Sequence, residues 1–218
     1  MRKNKMLLFY TVFFTVLVLG FWALLYFFTD TFNQSKLAKR AYVQAFNFTK
    51  EDGTSFTNED VKGKVYVTEY FFTTCQSICP KMNNNMKLVY EAFKDEPDFL
   101  ILSHTCNPKT DSAPIMKHYA DSLKADTKKW IFLTGRKDSL YNMARLSYGI
   151  DDPKNRVNNI EDDFMHTQFW ALVDKNGVVR GQVYDGLKKD EIEKLKQDIK
   201  ELLKEKSLGK NFVNGMFN

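Results

Sequence analysis

One long apolar run opens the chain, and after it strand-like and helix-like stretches alternate. From Met6 to Thr29 no charged side chain interrupts 24 residues. At about 1.5 Å rise per residue, a helix of that length exceeds a hydrocarbon core of ~30 Å. The run ends in Leu24-Leu25-Tyr26-Phe27-Phe28-Thr29, without the small residues of a cleavage site. It therefore predicts an uncleaved anchor over residues 1–29 rather than a signal peptide. Phe21, Trp22, Tyr26, Phe27 and Phe28 suit an aromatic belt at the far interface, and Arg2, Lys3 and Lys5 hold the N-terminus inside. The expectation is a single-pass protein of a bacterial inner membrane, with its C-terminal domain facing the periplasm or cell exterior. Residues 30–41, with Lys36, Lys39 and Arg40, read as a tether.

Beyond the tether, apolar positions from Phe46 to Phe56 flank Asp52-Gly53, a strong hairpin signal. Val65 to Phe72 is rich in β-branched and aromatic residues and reads as a strand buried on both faces. After Cys75 and Cys79, residues Met82, Met86, Val89, Tyr90 and Phe93 fall at helical spacing, and Pro80 suits a first helical turn. Phe99–Ser103 and Trp130–Thr134 read as further strands. Between them Asp111-Ser112 predicts a cap for a helix turning Ile115, Met116, Tyr119 and Leu123 inward. Asp138 or Ser139 predicts a cap for a helix through Leu140, Met143 and Leu146. Residues 151–163 form a polar, acidic loop. Phe169–Val173, the turn Asp174–Gly177 and Val178–Tyr184 make a second hairpin. A last helix carries Ile192, Leu195, Ile199, Leu202 and Leu203 on one face. This order predicts an α/β chain: a thioredoxin-like domain over 42–206, with a central mixed sheet flanked by helices and an N-terminal β-hairpin. Residues 207–218 read as a flexible tail.

Composition changes this picture little. Charged residues make up 27% and aromatics 15%, a globular balance. The net charge of +5 shrinks once the three basic residues before the apolar run are set aside, leaving 29 basic against 27 acidic side chains. No basic block with interleaved aromatics occurs, so nucleic-acid binding is excluded as a reading.

Three cysteines, Cys75, Cys79 and Cys106, rule out a complete intrachain disulfide framework. If a helix begins at or near Cys75, residues four apart lie just over one turn from each other and point the same way. The helix N-terminus favours thiolate over thiol there. Two such thiolates suit a soft cation such as Cu(I), or reversible disulfide formation. The three residues between them exceed the two of a thioredoxin redox pair. An imidazole would complete a trigonal site, but spacing alone does not choose among His104, His118 and His166. His104 ends a strand and reads as a hydrogen-bonded structural residue. His118 lies beside Lys117 on a helix face. His166 precedes a strand. Cys106 reads as a small buried hydrophobe, with a third thiol at the site as the alternative. Met82 and Met86 fit a core better than soft ligation, and Glu161-Asp162-Asp163 reads as a solvated run.

The string Phe-Phe-Thr-Thr-Cys-Gln-Ser-Ile-Cys-Pro-Lys-Met resembles the F-x-x-C-x-x-x-C-P motif of the Sco/SenC family of copper-delivery proteins. Leu102-Ser103-His104-Thr105 with Pro108 and Asp111, Trp130-Ile131-Phe132-Leu133-Thr134-Gly135, and Met165-His166-Thr167 before Phe169 resemble later family segments in the same order. The similarity covers roughly 42–205. It departs at Cys106-Asn107, where the family usually has Val-Asp. The resemblance implies that Cys75, Cys79 and His166 bind copper. It further implies that the protein supplies the dinuclear copper centre in the copper-bearing subunit of cytochrome c oxidase, or reduces the cysteines of that centre. Two other readings use the same thiols: a membrane-anchored thiol–disulfide oxidoreductase needing no metal, and a redox or copper sensor. A peroxiredoxin-like peroxidase would not require the second motif cysteine. Enzymatic turnover is not required, although thiol–disulfide reductase activity stays open.

Overall fold

A computed structural model describes residues 2–28, 35–165 and 167–207. His166, residues 29–34 of the expected anchor end and tether, and residues 208–218 of the expected tail lie outside the described residues. So do the side chains of Phe27 and Phe28. The chain divides into two compact units, residues 1–35 and 36–218.

The first unit is helix α1, Arg2–Phe28. Its stretch Asn4–Tyr26 has a mean hydropathy of 2.3 and is long and apolar enough to cross a membrane. Phe21, Trp22 and Tyr26 are exposed on it.

The second unit begins with β1 (Lys39–Tyr42), which sequence reasoning did not foresee. The hairpin β2 (Asn47–Lys50) and β3 (Ser55–Thr57) follows, turning through Asp52-Gly53 as expected. Gly53 has φ of 84°, which favours a residue without Cβ. Then come β4 (Val65–Phe71), α2 (Cys79–Phe93), β5 (Phe99–Thr105), α3 (Ala113–Leu123), β6 (Trp130–Thr134) and α4 (Lys137–Asn142). Helix α4 runs on as a π-helical segment, Met143–Tyr148. The chain ends in the hairpin β7 (Phe169–Val173) and β8 (Val178–Asp185), then α5 (Lys189–Leu203).

All eight strands form one sheet in the order β1-β8-β7-β4-β5-β6-β2-β3. β4, β5 and β6 are parallel, and their neighbours pair antiparallel. Every residue of β4 and β5 is buried, because helices and loops cover both faces of the sheet centre. On one face α2, α3 and α5 contribute Met82, Met86, Met116, Ile192, Leu195 and Ile199 to a core with Val67, Ile101 and Phe132. On the other, Leu140, Tyr141, Met143 and Tyr148 pack on Tyr66, Tyr70, Leu102 and Leu133. This mixed sheet between helices is the expected architecture. Met82 and Met86 are core side chains, 1% and 0% exposed.

Several local expectations fail. Helix α2 begins at Cys79 rather than near Cys75, so the two cysteines do not share a first helical turn. Cys75 sits in the loop before it, its amide bonded to the Phe72 carbonyl. Neither Asp111 nor Ser112 caps α3 with its side chain, because the Asp111 carboxylate is taken up elsewhere. The cap position of α4 is Arg136, not Asp138 or Ser139. Ile115 and Leu146 face solvent rather than the core. Asp163 is buried, not solvated, since it pairs with the Arg145 guanidinium.

Candidate metal centre

Strand β4 delivers the chain to the carboxyl edge of the parallel sheet, where α/β folds place their ligands. The loop 72–78 crosses that edge and enters α2 at Cys79-Pro80. Cys75 is half-buried and Cys79 is 4% exposed, so one sulfur is reachable and the other is shielded. The Cys75 sulfur lies 3.7 Å from the Ser77 hydroxyl.

The two thiols titrate apart. Burial pushes Cys75 up, but hydrogen bonds from the Cys79 thiol and amide and from Ser77 outweigh it, so its pKa lies below the ordinary thiol value. For Cys79, burial comes first and the donation of its S–H to Cys75 second, and together they push it up to about 12. The first turn of α2 thus stabilises negative charge on Cys75, although Cys75 itself stands outside the helix.

The loop is held down by Asp111. Its buried carboxylate accepts the Thr73 amide at 3.2 Å and the Thr73 hydroxyl at 2.6 Å, and also the hydroxyl of Thr105 at the end of β5. Thr105 in turn accepts the Asn107 amide at 2.9 Å. One carboxylate therefore ties the cysteine loop to the neighbouring strand. The segment from Thr105 through Pro108 to Asp111 was visible in the sequence, but nothing there indicated that its Asp reaches Thr73.

Beneath the loop, Glu69 is 1% exposed on the α2 face of β4. It accepts a 2.6 Å hydrogen bond from Ser103, while its second oxygen has no protein partner. Burial pushes its pKa up to about 7, only partly offset by Ser103. A single carboxylate inside an otherwise apolar strand was the signal that sequence reasoning passed over.

The remaining candidates separate clearly. His104 is fully buried among Phe48, Tyr70 and Tyr148, with Nε2 3.3 Å from the Tyr148 hydroxyl. Burial pushes its pKa down to about 3, so it is a neutral core imidazole. His118 is exposed on α3. Cys106 is 2% exposed and packs in the core on the sheet face opposite Cys79. Burial holds its thiol well above the ordinary value. Among the described residues, no third His, Cys, Asp or Glu joins the two thiols in a metal-holding group. The donor set that is present, two sulfurs at a loop–helix junction, fits a soft cation.

Met165 and Thr167, on either side of His166, are each held by a hydrogen bond. The Met165 amide donates to the Tyr141 hydroxyl at 3.2 Å, and the Thr167 hydroxyl donates to the Ile150 carbonyl at 2.8 Å. Arg145 forms a two-pronged pair with Asp163, at 2.7 and 3.1 Å, and a further bond to Asp151 at 2.7 Å.

Known proteins resemble this chain over the same span. A profile of the SCO1/SenC family matches residues 34–204. A Bacillus subtilis SCO1 protein homolog is 28% identical over 162 residues, spanning 72% of this chain and 81% of that relative. Among solved structures, BsSco, described as a Sco-family cytochrome c oxidase assembly protein with a disulfide switch, aligns with a TM-score of 0.63 and 26% identity. That alignment covers 78% of this chain and 96% of BsSco. Bradyrhizobium japonicum ScoI with copper bound aligns with a TM-score of 0.57 over 74% of this chain and 99% of its own. At 22% identity it bears on the fold alone. With a family match that spans most of the chain, including both motif cysteines, and a likeness to a solved Sco structure, the chain belongs to the SCO1/SenC family.

Proposed function

We propose that the chain is a membrane-anchored copper handler in cytochrome c oxidase assembly, binding copper through Cys75, Cys79 and His166. In this reading it passes copper to the copper-bearing subunit of the oxidase. The carrying observation is the thiol pair at the carboxyl edge of the sheet, one half-exposed and one buried, in a SCO1/SenC chain. The oxidase-assembly description of BsSco supports it. Thiolates favour Cu(I), and an imidazole completes a trigonal set. Binding removes the proton held on Cys79, so affinity rises with pH. Helix α1 serves as the anchor in the bacterial inner membrane, with residues 36–207 on the outer side.

The asymmetric exposure favours one second reading, thiol–disulfide exchange on the recipient. The reachable Cys75 thiolate attacks a substrate disulfide and expels one substrate thiolate. The Cys79 sulfur, losing its proton to solvent, then attacks the mixed disulfide and expels the other. The substrate gains two thiols and the chain keeps a Cys75–Cys79 disulfide.

Competition between the full chain in detergent and a chromophoric Cu(I) chelator tests the first reading. His166→Ala should weaken binding sharply and leave disulfide exchange intact, since imidazole supplies a ligand and no sulfur. Oxidase assembly in cells should fail with His166→Ala if delivery is the role, and survive if reduction is. Copper affinity unchanged by His166→Ala would overturn the three-ligand site.

A further inference from the structure

Tyr141 stands where two loops meet. It lies on α4, its ring is 1% exposed, and its hydroxyl donates to the Cys106 carbonyl at 2.8 Å. The same oxygen accepts the Met165 amide at 3.2 Å and lies 3.4 Å from the Asp163 carbonyl. Cys106 in turn donates its amide to the Phe71 carbonyl at 2.7 Å, at the point where β4 gives way to the cysteine loop. A chain of three hydrogen bonds, two of them through one hydroxyl, therefore connects the root of the cysteine loop to the residue before His166.

The guanidinium of Arg145 adds a second hold. It lies over the Tyr141 ring, 5.4 Å from its centre, and grips Asp163 two residues before Met165. Arg145, Asp163 and Asp151 have side chains only 4%, 4% and 8% exposed. Buried charges of this kind persist only when paired. Both oxygens of Asp151 and of Asp163 have protein donors, and the thiol-exchange chemistry uses none of these groups. The bonds of Tyr141 and Arg145 go to the Cys106 carbonyl, to Asp151 and to residues 163–165.

We propose that Tyr141, with Arg145 behind it, is a positioning residue for copper binding, holding the backbone at Met165 so that His166 can serve as the third ligand. It acts on copper only through that histidine. The inference rests on reading His166 as the third ligand. Groups that orient a ligand typically change metal affinity by roughly 10–100-fold when removed.

The test is a double-mutant cycle on the full chain in detergent, read as Cu(I) affinity by chelator competition. Tyr141→Phe keeps the ring and removes the one oxygen. It should weaken binding about tenfold or more in the native background, and less than about twofold when His166→Ala is already present. The rate of Cys75 alkylation should not change. Arg145→Lys, which keeps the charge and loses the two-pronged grip, is the second variant and should give the same pattern. Equal losses with and without His166 would overturn the proposal, because Tyr141 would then act on the fold or the thiols. Full affinity in Tyr141→Phe beside a damaged His166→Ala would overturn it while sparing the ligand reading. Full affinity in His166→Ala would overturn both.

Discussion

Removing the Asp111 carboxylate should loosen the cysteine loop and cost much of the domain's stability. In Asp111→Ala the Thr73 amide, the Thr73 hydroxyl and the Thr105 hydroxyl all lose their acceptor. A hydrogen bond to a charged group contributes roughly 1.5–3 kcal/mol. Thr73 is half-exposed and can turn to water, whereas Thr105 is fully buried and cannot. The summed loss is then about 3–4 kcal/mol rather than three full bonds. For a domain of this size each kcal/mol moves the melting temperature by about 2–4 °C, so a fall of roughly 6–15 °C is expected. Asp111→Asn keeps one acceptor oxygen and loses the charge, and should show about half the effect. Thermal unfolding of the full chain in detergent reads the stability, and Cys75 alkylation at a temperature where all variants are folded reads the loop. Alkylation should speed up in Asp111→Ala. A loss below about 1 kcal/mol with unchanged alkylation would show that Thr73 and Thr105 find other partners, and that the carboxylate does not hold the loop.

Further outcomes follow from the same geometry. Alkylation followed by peptide mass mapping should label Cys75 first and Cys79 slowly, and leave Cys106 unlabelled until the chain unfolds; early labelling of Cys106 would contradict its burial. Glu69, raised from 4.5 to about 7 by burial, binds a proton more tightly folded than unfolded. Its contribution is intact below about pH 4.5 and is lost as pH rises to about 7, by roughly 3 kcal/mol. Glu69→Gln should therefore be the more stable form at pH 8, and equal stabilities there would refute this. His104 acts in the opposite sense. Held down to about 3, it resists the proton that the unfolded chain takes up, so its contribution is lost as pH falls from about 6.5 to about 3. His104→Gln should flatten that part of the acid profile. External protease should remove residues 36–207 from permeabilised cells while the N-terminus stays protected; a mature chain starting after residue 29 would exclude the anchor.

The sheet was legible because its signals are local. The Asp52-Gly53 turn, the apolar runs of β4 and β5, and the spacing of Met82, Met86, Val89 and Phe93 each declare themselves within a few residues. β1 did not, since Lys39-Arg40-Ala41-Tyr42 is an edge strand with largely exposed side chains. Ile115 and Leu146 were read inward because an apolar residue at helical spacing does not reveal that its face lies uncovered. The supports of the candidate site were hidden for a different reason. Asp111 meets Thr73 38 residues away, and Asp163 meets Arg145 18 residues away. A carboxylate committed to a distant partner looks the same in sequence as one in water. His166 was singled out by family resemblance, not by any pattern in the residues around it.

Arg180 closes the second unit on itself. From β8 its guanidinium reaches the Leu37 carbonyl at 3.1 and 3.2 Å, Asp174 at 2.6 Å and Glu205 at 3.2 Å. The Gly181 amide adds a bond to the Ala38 carbonyl at 2.8 Å, and β1 runs antiparallel along β8 just beyond. The first residues of this unit and the segment just after α5 are thus fastened to the same cation. A pull arriving through the residues before 36 meets this fastening before it reaches the β1–β8 ladder. The ladder is then loaded along its length, with several backbone bonds sharing the strain, instead of being unzipped one bond at a time from its end. Mechanical force arriving from that side would be spent against Arg180 and not against β4, the strand that leads into the Cys75 loop.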